Sequence, residues 1–260
     1  MRSDWAALPE PVEAAVAERI GGIVDVYPAP SGDHAEIAST VIGSTGTVFV
    51  KAASSGPGVR SLRYELTVTR AIDRYPPTVL WDFESDGWLV VGVERLDGPH
   101  PDLSPGSPDL DTLAATLTGL QETAAPDVRL FAPAGRLSFA HPAMDGDVLV
   151  HSDLNPANLI LTSEGLRIVD WAYATKAAPW VELALLTQWL IGNCHTPAQA
   201  EDWLSQFPAW AGTDPGVLDD FAARNASKWA NKSRQSTEGW VRDLACWTYE
   251  WAAYRASGER

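Results

Sequence analysis

Apolar residues recur along this chain with two different periods, and the switches between them divide it into elements. In residues 9–20, Val12, Ala15, Val16 and Ile20 fall at helical spacing, prolines stand at the start and Gly21-Gly22 follows the end, which predicts a helix. Three short runs come next, at 23–27, 35–42 and 47–52, separated by a loop over 28–33 and the turn Gly43-Ser44-Thr45-Gly46. Runs of that length with tight turns between them predict an antiparallel three-stranded meander. After Ser54-Ser55-Gly56-Pro57-Gly58 a helix is expected from about Val59, carrying Leu62, Glu65, Leu66 and Ile72. Two further strands, 78–82 and 87–93, flank a turn at Glu84-Ser85-Asp86-Gly87. Residues 98–108 hold Pro99, Pro101, Pro105 and Pro108 with Gly98 and Gly106, a density that breaks regular structure and marks a linker. Beyond it, Leu110, Leu113, Leu117 and Leu120 make 109–123 an amphipathic helix. Residues 125–146 show no clear period. Residues 180–191 are apolar nearly throughout and predict a buried helix, followed by helices over 196–207, 215–230 and 238–255. In the last of these, Trp240, Leu244, Trp247, Trp251 and Tyr254 form a stripe expected to face the core. The predicted class is α+β in two lobes: an N-terminal antiparallel sheet with a helix over 1–95, and a mainly helical C-terminal lobe over 96–260.

The chemistry concentrates between Val148 and Trp171, in VLVHSDLNPANLILTSEGLRIVDW. The apolar runs Val148-Leu149-Val150, Leu159-Ile160-Leu161 and 166–169 read as short strands around a polar loop and a turn. Their ends then present Asp153, Asn158 and Asp170. Phosphoryl transfer needs such a set: a base for the attacking hydroxyl and two oxygen ligands for magnesium. Upstream, Lys51 interrupts the strand Val48-Phe49-Val50-Lys51-Ala52-Ala53, on the face opposite Val48 and Val50. An ammonium inside a lobe needs a carboxylate, because burying it unpaired is expensive. Glu65, beside Leu62 and Leu66, is the expected partner. The alternative is that Arg63, Glu65 and Arg70 decorate a solvated face. The loop Ser31-Gly32-Asp33-His34 is small and polar enough to lie over phosphates, or is an ordinary hairpin turn.

Composition narrows the classes. A chain of 260 residues has room for one large domain or two lobes. The net charge of -15 argues against a nucleic-acid binder, which needs a basic face. It permits a cationic substrate, though net charge speaks first to solubility. No apolar run approaches the roughly 20 residues that span a bilayer, and MRSDWAALPEP lacks the apolar core of a signal peptide. No membrane partner is expected. Cys194 and Cys246 are the only cysteines and have no metal-ligand spacing, which points to a reduced, cytoplasmic protein. Within this acidic chain Arg224, Lys228 and Lys232 repeat every four residues. Such a stripe reads as a solvated face, with a site for an anionic group as the alternative.

Helix, small sheet, helix, two strands, linker, helix, polar hairpin and then helices is the layout of the protein-kinase-like fold. His151-Ser152-Asp153-Leu154-Asn155-Pro156-Ala157-Asn158, followed by Ile168-Val169-Asp170-Trp171, resembles the catalytic and metal motifs of the aminoglycoside phosphotransferase family. The family pattern is His-x-Asp, an Asn five residues after that Asp, then an Asp followed by an aromatic residue. Lys51 and Glu65 match its strand lysine and helix glutamate. The resemblance implies ATP or GTP and Mg2+ as cofactors, with Asp153 as the base that orients the acceptor hydroxyl. It implies Asn158 and Asp170 as metal ligands, and Lys51, positioned by Glu65, on the α- and β-phosphates. The nucleotide base would meet the backbone near Val93, Glu94 and Leu96, while Ser31 and Gly32 stay phosphate-binding candidates on the composition of their loop alone. His151 is expected to pin the loop rather than to act as acid or base. Ser152 departs from the family's frequent glycine, and Glu182-Leu183-Ala184 from its common Asp-Leu-Ala. Only residues 171–179 separate Asp170 from Trp180, too few for a phosphorylatable activation loop.

The favoured reading is a magnesium-dependent kinase acting on a hydroxyl of a small molecule. A nucleotide-binding pseudokinase serving as a regulatory module is the alternative, and a protein kinase is disfavoured by the short segment after Asp170. Acidic groups at Asp145, Asp147 and Glu182 could draw an aminated acceptor. The acceptor site would be shaped mainly by the C-terminal helices, since only about thirty residues separate the leucine-rich helix from His151. Choline, an amino acid, a sugar, a nucleoside and an antibiotic all stay open as acceptors.

Overall fold

A computed structural model describes residues 3–30 and 35–258. The chain divides into two compact units, Met1–Gly98 with Arg167–Ala172, and Pro99–Leu166 with Tyr173–Arg260. The sequence boundary near residue 95 falls three residues before this division, and the return of Arg167–Ala172 to the first unit was not part of that reading.

The first unit is built on a five-stranded antiparallel sheet. Helix α1 (Glu10–Ile20) ends on Gly21 at φ 73°, a left-handed cap that glycine adopts without a Cβ penalty. Strands β1 (Ile23–Pro28), β2 (Ile37–Gly43) and β3 (Gly46–Ala53) form the expected meander. Helix α2 (Gly56–Arg70) follows, then β4 (Val79–Ser85) and β5 (Trp88–Glu94). The strand order is β1-β2-β3-β5-β4, so β5 inserts between β3 and β4. Alternation along β3 sends its side chains to two cores. Val48, Val50 and Ala52 join Val12, Val16 and Ile20 on the α1 side, while Ala53 joins Leu62 and Leu66 of α2. Lys51 lies opposite Ala38 of β2 and Val91 of β5, on the α2 side.

Helix α2 begins at Gly56, not near Val59 as the sequence suggested. The Ser55 hydroxyl accepts from the Gly58 N–H and caps the first turn, and Pro57, with no N–H to satisfy, fits there. Residues 54–58 read as a loop because Ser, Gly and Pro are turn residues as well as helix starters.

In the second unit, α3 (Asp109–Gln121) buries Leu110, Leu113, Leu117 and Leu120 as predicted. Each contributes about 2 kcal/mol of apolar burial. Strand β6 (Val148–Val150) leads into the polar loop, and β7 (Leu159–Thr162) and β8 (Gly165–Ile168) form a hairpin. Strand β9 (Thr175–Ala177) pairs antiparallel with β6. Helices α4 (Trp180–Gly192), α5 (Pro197–Leu204), α6 (Pro208–Ala211), α7 (Pro215–Ser233) and α8 (Gly239–Ser257) complete the unit. The helix expected over 196–207 is therefore two, broken before Pro208 because the residue preceding a proline is pushed out of the helical region. The stripe expected on the last helix is also rotated. Its buried residues are Val241, Leu244, Thr248, Trp251 and Arg255, and Trp240 is exposed.

Gly92 on β5 fixes how closely Trp81 of β4 lies on the sheet. A Cβ there would stand 2.4 Å from the indole ring. Gly92→Ala is expected to lower the unfolding free energy by about 1–3 kcal/mol through overpacking. Denaturant titration of both proteins checks it, by a lower midpoint at an unchanged slope.

Candidate active site

In the first unit, Lys51 sits between two carboxylates. Its Nζ lies 2.6 Å from Glu65 Oε1 and 3.2 Å from Asp170 Oδ1. The lysine and the two acidic side chains are all less than a fifth exposed. Burial pulls the Lys51 ammonium down, but the Asp170 and Glu65 charges outweigh it and hold the group above its ordinary value of 10.5. Lys51 is charged at every physiological pH. Glu65 is turned inward beside Leu62 and Leu66, so the solvated-face alternative is excluded. Asp170 has φ 65°, a left-handed conformation that aspartate tolerates better than most residues. Behind it the buried Trp171 ring donates from Nε1 to the Ile168 carbonyl at 2.9 Å.

The second unit carries the polar loop. The His151 ring is fully buried, and its Nδ1 accepts from the Asp153 N–H at 3.3 Å, holding the loop as a hydrogen-bonding member. Asn158 donates from Nδ2 to the Asp153 carbonyl at 2.8 Å and to Asp153 Oδ2 at 3.3 Å. Both neighbours are acceptors, so the orientation of the amide follows from chemistry: nitrogen toward Asp153, Oδ1 left for another partner. Asn155 caps the short turn Pro156–Asn158 by accepting from the Ala157 N–H. Ser152 stands at φ 67°, where a side chain is strained. That is the backbone reason glycine suits this position.

Glu182, in the first turn of α4, secures the loop from below. It accepts from the His151 N–H and from the Ser152 N–H, the latter at 3.2 Å to Oε1. Burial pushes the Glu182 carboxyl up and the Asp153 charge adds to this. The two amide hydrogen bonds oppose them, and the group ends at about 7. The expectation that Glu182 could draw an aminated acceptor is corrected: the group is 2% exposed and spent on backbone amides. Asp147 is likewise engaged, by Lys176 at 2.6 Å.

Ser31 and Gly32 lie outside the described residues. Val93 is the penultimate residue of β5, paired with Phe49 and Val79. Glu94 uses its N–H on the Thr78 carbonyl, and its carboxylate accepts from the Thr78 N–H and from Arg167. Its side chain is therefore a structural brace. Leu96 is buried. Sequence reasoning missed Arg167 and the loop-anchoring use of Glu182; the Glu-Leu-Ala match to the family's Asp-Leu-Ala was the available signal for the second. Among the described residues no group of three or more His, Cys, Asp or Glu is placed to hold a metal ion. Magnesium does not require one, since it is commonly held by one or two carboxylates together with substrate phosphates. Asn158 Oδ1 in the second unit and the Asp170 carboxylate in the first are each a hard oxygen donor of the kind it prefers.

A family model matches part of the sequence, and solved structures match the fold. The family model of phosphotransferase enzymes matches residues 136–215, the stretch holding His151, Asp153, Asn158, Asp170 and Glu182. No curated protein matches the chain by sequence. Among solved structures, a thermostable mutant of aminoglycoside phosphotransferase APH(4)-Ia is similar with a TM-score of 0.66 at 16% identity, over 95% of this chain and 99% of that one. This is the aminoglycoside phosphotransferase fold. The AMP-bound complex of spectinomycin phosphotransferase APH(9)-Ia shares it, with a TM-score of 0.61 at 9% identity over 95% and 99% of the two chains. The resemblance read from the motifs is borne out by the family model and by this kinase-like fold.

The Glu182 carboxyl gives a pH signature. Its value rises from 4.5 to about 7 on folding, so the native state holds the proton more tightly than the unfolded one. The stability it contributes is complete below pH 4.5 and is lost as pH rises to about 7. Glu182→Gln keeps an acceptor for the amides and removes the titration. Its melting temperature is expected to gain on the wild type between those pH values and to hold a constant offset above them. Paired thermal melts across that range check this, and parallel curves refute it.

Proposed function

We propose that this protein is a small-molecule kinase that transfers the γ-phosphoryl group of ATP or GTP to a hydroxyl. The observation that carries the reading is Lys51, held charged between Glu65 and Asp170, in a chain that also keeps Asp153 and Asn158 hydrogen-bonded to each other. Each group then has a task. The Lys51 ammonium, positioned by Glu65, pairs with nucleotide phosphates. Asp153 orients the acceptor hydroxyl and takes its proton as the new P–O bond forms. Asn158 steadies Asp153 through Nδ2. Asn158 Oδ1 and the Asp170 carboxylate would hold magnesium, whose charge neutralises the phosphates. Val93 to Leu96, and Ser31 and Gly32, are assigned to the nucleotide's base and phosphates, with the backbone near Val93 to Leu96 serving the base.

Relatives by fold support the reading. APH(4)-Ia forms ternary complexes with ADP and hygromycin B and with AMP-PNP and hygromycin B. APH(9)-Ia forms a complex with ADP and spectinomycin. The two free, exposed cysteines suit a reducing, cytoplasmic setting. No helix among the described residues is long and apolar enough to cross a membrane.

The pseudokinase alternative is weaker, because a module released from catalysis has no chemical need for Asp153. Asp153→Asn decides between them. The variant is expected to bind ATP with Mg2+ as the wild type does, while ADP release, with or without an acceptor, falls by about 100-fold or more. ATP binding by calorimetry and ADP release by a coupled assay supply both numbers. Equal ADP release from the two proteins removes the catalytic reading.

A further inference from the structure

Helix α7 turns Asn225, Lys228, Trp229 and Lys232 to one side, at offsets of three, four and seven residues. The Lys228 Nζ lies 4.8 Å from the Trp229 ring centroid and 5.9 Å from that of Phe139. The Lys232 Nζ lies 4.8 Å from Trp229 and 4.7 Å from Trp240. Arg224, the third member of the stripe, is neutralised by Asp220, with both carboxylate oxygens 2.7 Å from Nε. Among the described residues the two lysines have no such ion pair.

Two ammonium groups one turn apart repel each other, and aromatic faces answer only part of that cost. Lys228 is also half-buried. Burial and the Lys232 charge both push the Lys228 ammonium down, while the Asp153 carboxylate pulls it up. The face therefore feels the proposed catalytic base. Two further polar atoms on it are left open. Asn225, fully buried, donates from Nδ2 to Gln188 Oε1 at 3.0 Å, but its Oδ1 has no hydrogen-bond partner among the described residues. The indole Nε1–H of the buried Trp229 has none either. Buried polar atoms are normally satisfied, and an orphaned donor beside two cations that lack a close ion pair is a place for an anion.

We propose that this face of α7 is the acceptor subsite of the kinase, taking a hydroxyl compound whose flat apolar body carries a carboxylate or phosphate. The proposal rests on the phosphotransferase reading above. The anion would lie between the Lys228 and Lys232 ammonium groups, with the Trp229 Nε1–H as a further donor. The rings of Phe139, Trp229 and Trp240 would cover the apolar body. An aminated acceptor is disfavoured at the same place, since it would meet two like charges. Of the three carboxylates that could have drawn one, Asp147 is paired with Lys176, Glu182 is buried under the loop, and Asp145 is exposed.

The test uses four alcohols of one shape: 4-(hydroxymethyl)benzoate, 4-(hydroxymethyl)phenyl phosphate, 4-(hydroxymethyl)benzamide and 4-(hydroxymethyl)benzylamine. Binding to the full chain is measured by calorimetry. At least one anion is expected to bind about tenfold or more tightly than the amide and the amine, as charge-assisted hydrogen bonds require. The double variant Lys228→Met, Lys232→Met should lose that preference, and Lys228→Arg, Lys232→Arg should keep it. Circular dichroism verifies folding, and if the methionine pair does not fold, the ligand series with the arginine pair still decides. Failure of both anions to bind, equal binding of the amide, tighter binding of the amine, or an anion preference surviving the methionine pair each overturns the proposal. ADP release with each alcohol separates the two readings. Lysine-dependent anion binding without ADP release under ATP and Mg2+ overturns the assignment of this face to the acceptor, while the Asp153→Asn comparison decides the kinase reading separately. Transfer to the amine in preference to the anions removes this proposal and leaves the kinase standing.

Discussion

A lysine on the inner face of a sheet sets a demand that the surrounding chain has to meet. Lys51 occupies the α2 side of β3, among positions filled by Ala53, Leu62 and Leu66, where an unpaired ammonium would cost several kcal/mol. Two carboxylates answer it, one near in sequence and one far. Glu65 comes from the next helix, and Asp170 comes from a segment 119 residues downstream. That second contribution explains why Arg167–Ala172 belongs with the first unit while the residues on either side belong with the second. Arg167 fastens the same segment, donating to the carbonyls of Tyr75 and Pro76 and to Glu94. Glu94 is thereby held in its ionised form: burial alone would raise its value, but the Thr78 and Arg167 contacts lower it below the ordinary one.

The second unit solves the converse problem. Here the buried charge-bearing group is a carboxyl, Glu182, and the groups that meet it are backbone amides of the polar loop. The loop needs that support because Ser152 is held in a left-handed conformation that a non-glycine residue adopts at a cost of order 1–3 kcal/mol. Fixing the His151 and Ser152 amides from α4 orients the next residue, Asp153, without touching its carboxylate. The His151 ring does the same from the other side. Backbone anchoring on one side and the Asn158 Nδ2 donor on the other thus fix where the Asp153 carboxylate stands, as the base role proposed for it requires.

These two arrangements differ in how far the sequence reveals them. The Lys51–Glu65 pair was legible because it follows from two local periods: alternation put Lys51 inward on a strand, and helical spacing put Glu65 beside Leu62 and Leu66. The four leucines of α3 were legible for the same reason. Strand β9 was not, since three residues carry no period and Thr175–Ala177 is a strand only because β6 lies beside it. Leu244 and Trp251 of α8 are buried as expected, whereas Trp240 and Tyr254 misled because a helical stripe and its neighbour one position away are both periodic. Only the packing of α7 and α4 selects Val241, Leu244, Thr248 and Trp251 over Trp240 and Tyr254. The partner of Asp170 was hidden by sequence separation, and the use of Glu182 by its resemblance to an ordinary helix-start carboxylate.

Charge shows the same limit most sharply. A net charge of -15 leaves room for a cationic substrate, and three acidic residues of the second unit could be cited in support. Net charge is a sum over groups that solvent screens beyond about 8 Å, whereas a site responds to the few charges beside it that nothing neutralises. Of the three acidic groups, Asp147 is paired with Lys176, Glu182 is buried, and Asp145 is exposed. Of the basic stripe, Arg224 is paired, while Lys228 and Lys232 rest on aromatic rings that attract cations without cancelling their charge. The two ammonium groups thus form a local positive pair, with the Asp153 carboxylate acting on Lys228, in a protein whose total is strongly negative. An acceptor recognised by that field would be selected for its negative charge against the repulsion of the molecule as a whole, a combination that favours specificity over speed of encounter.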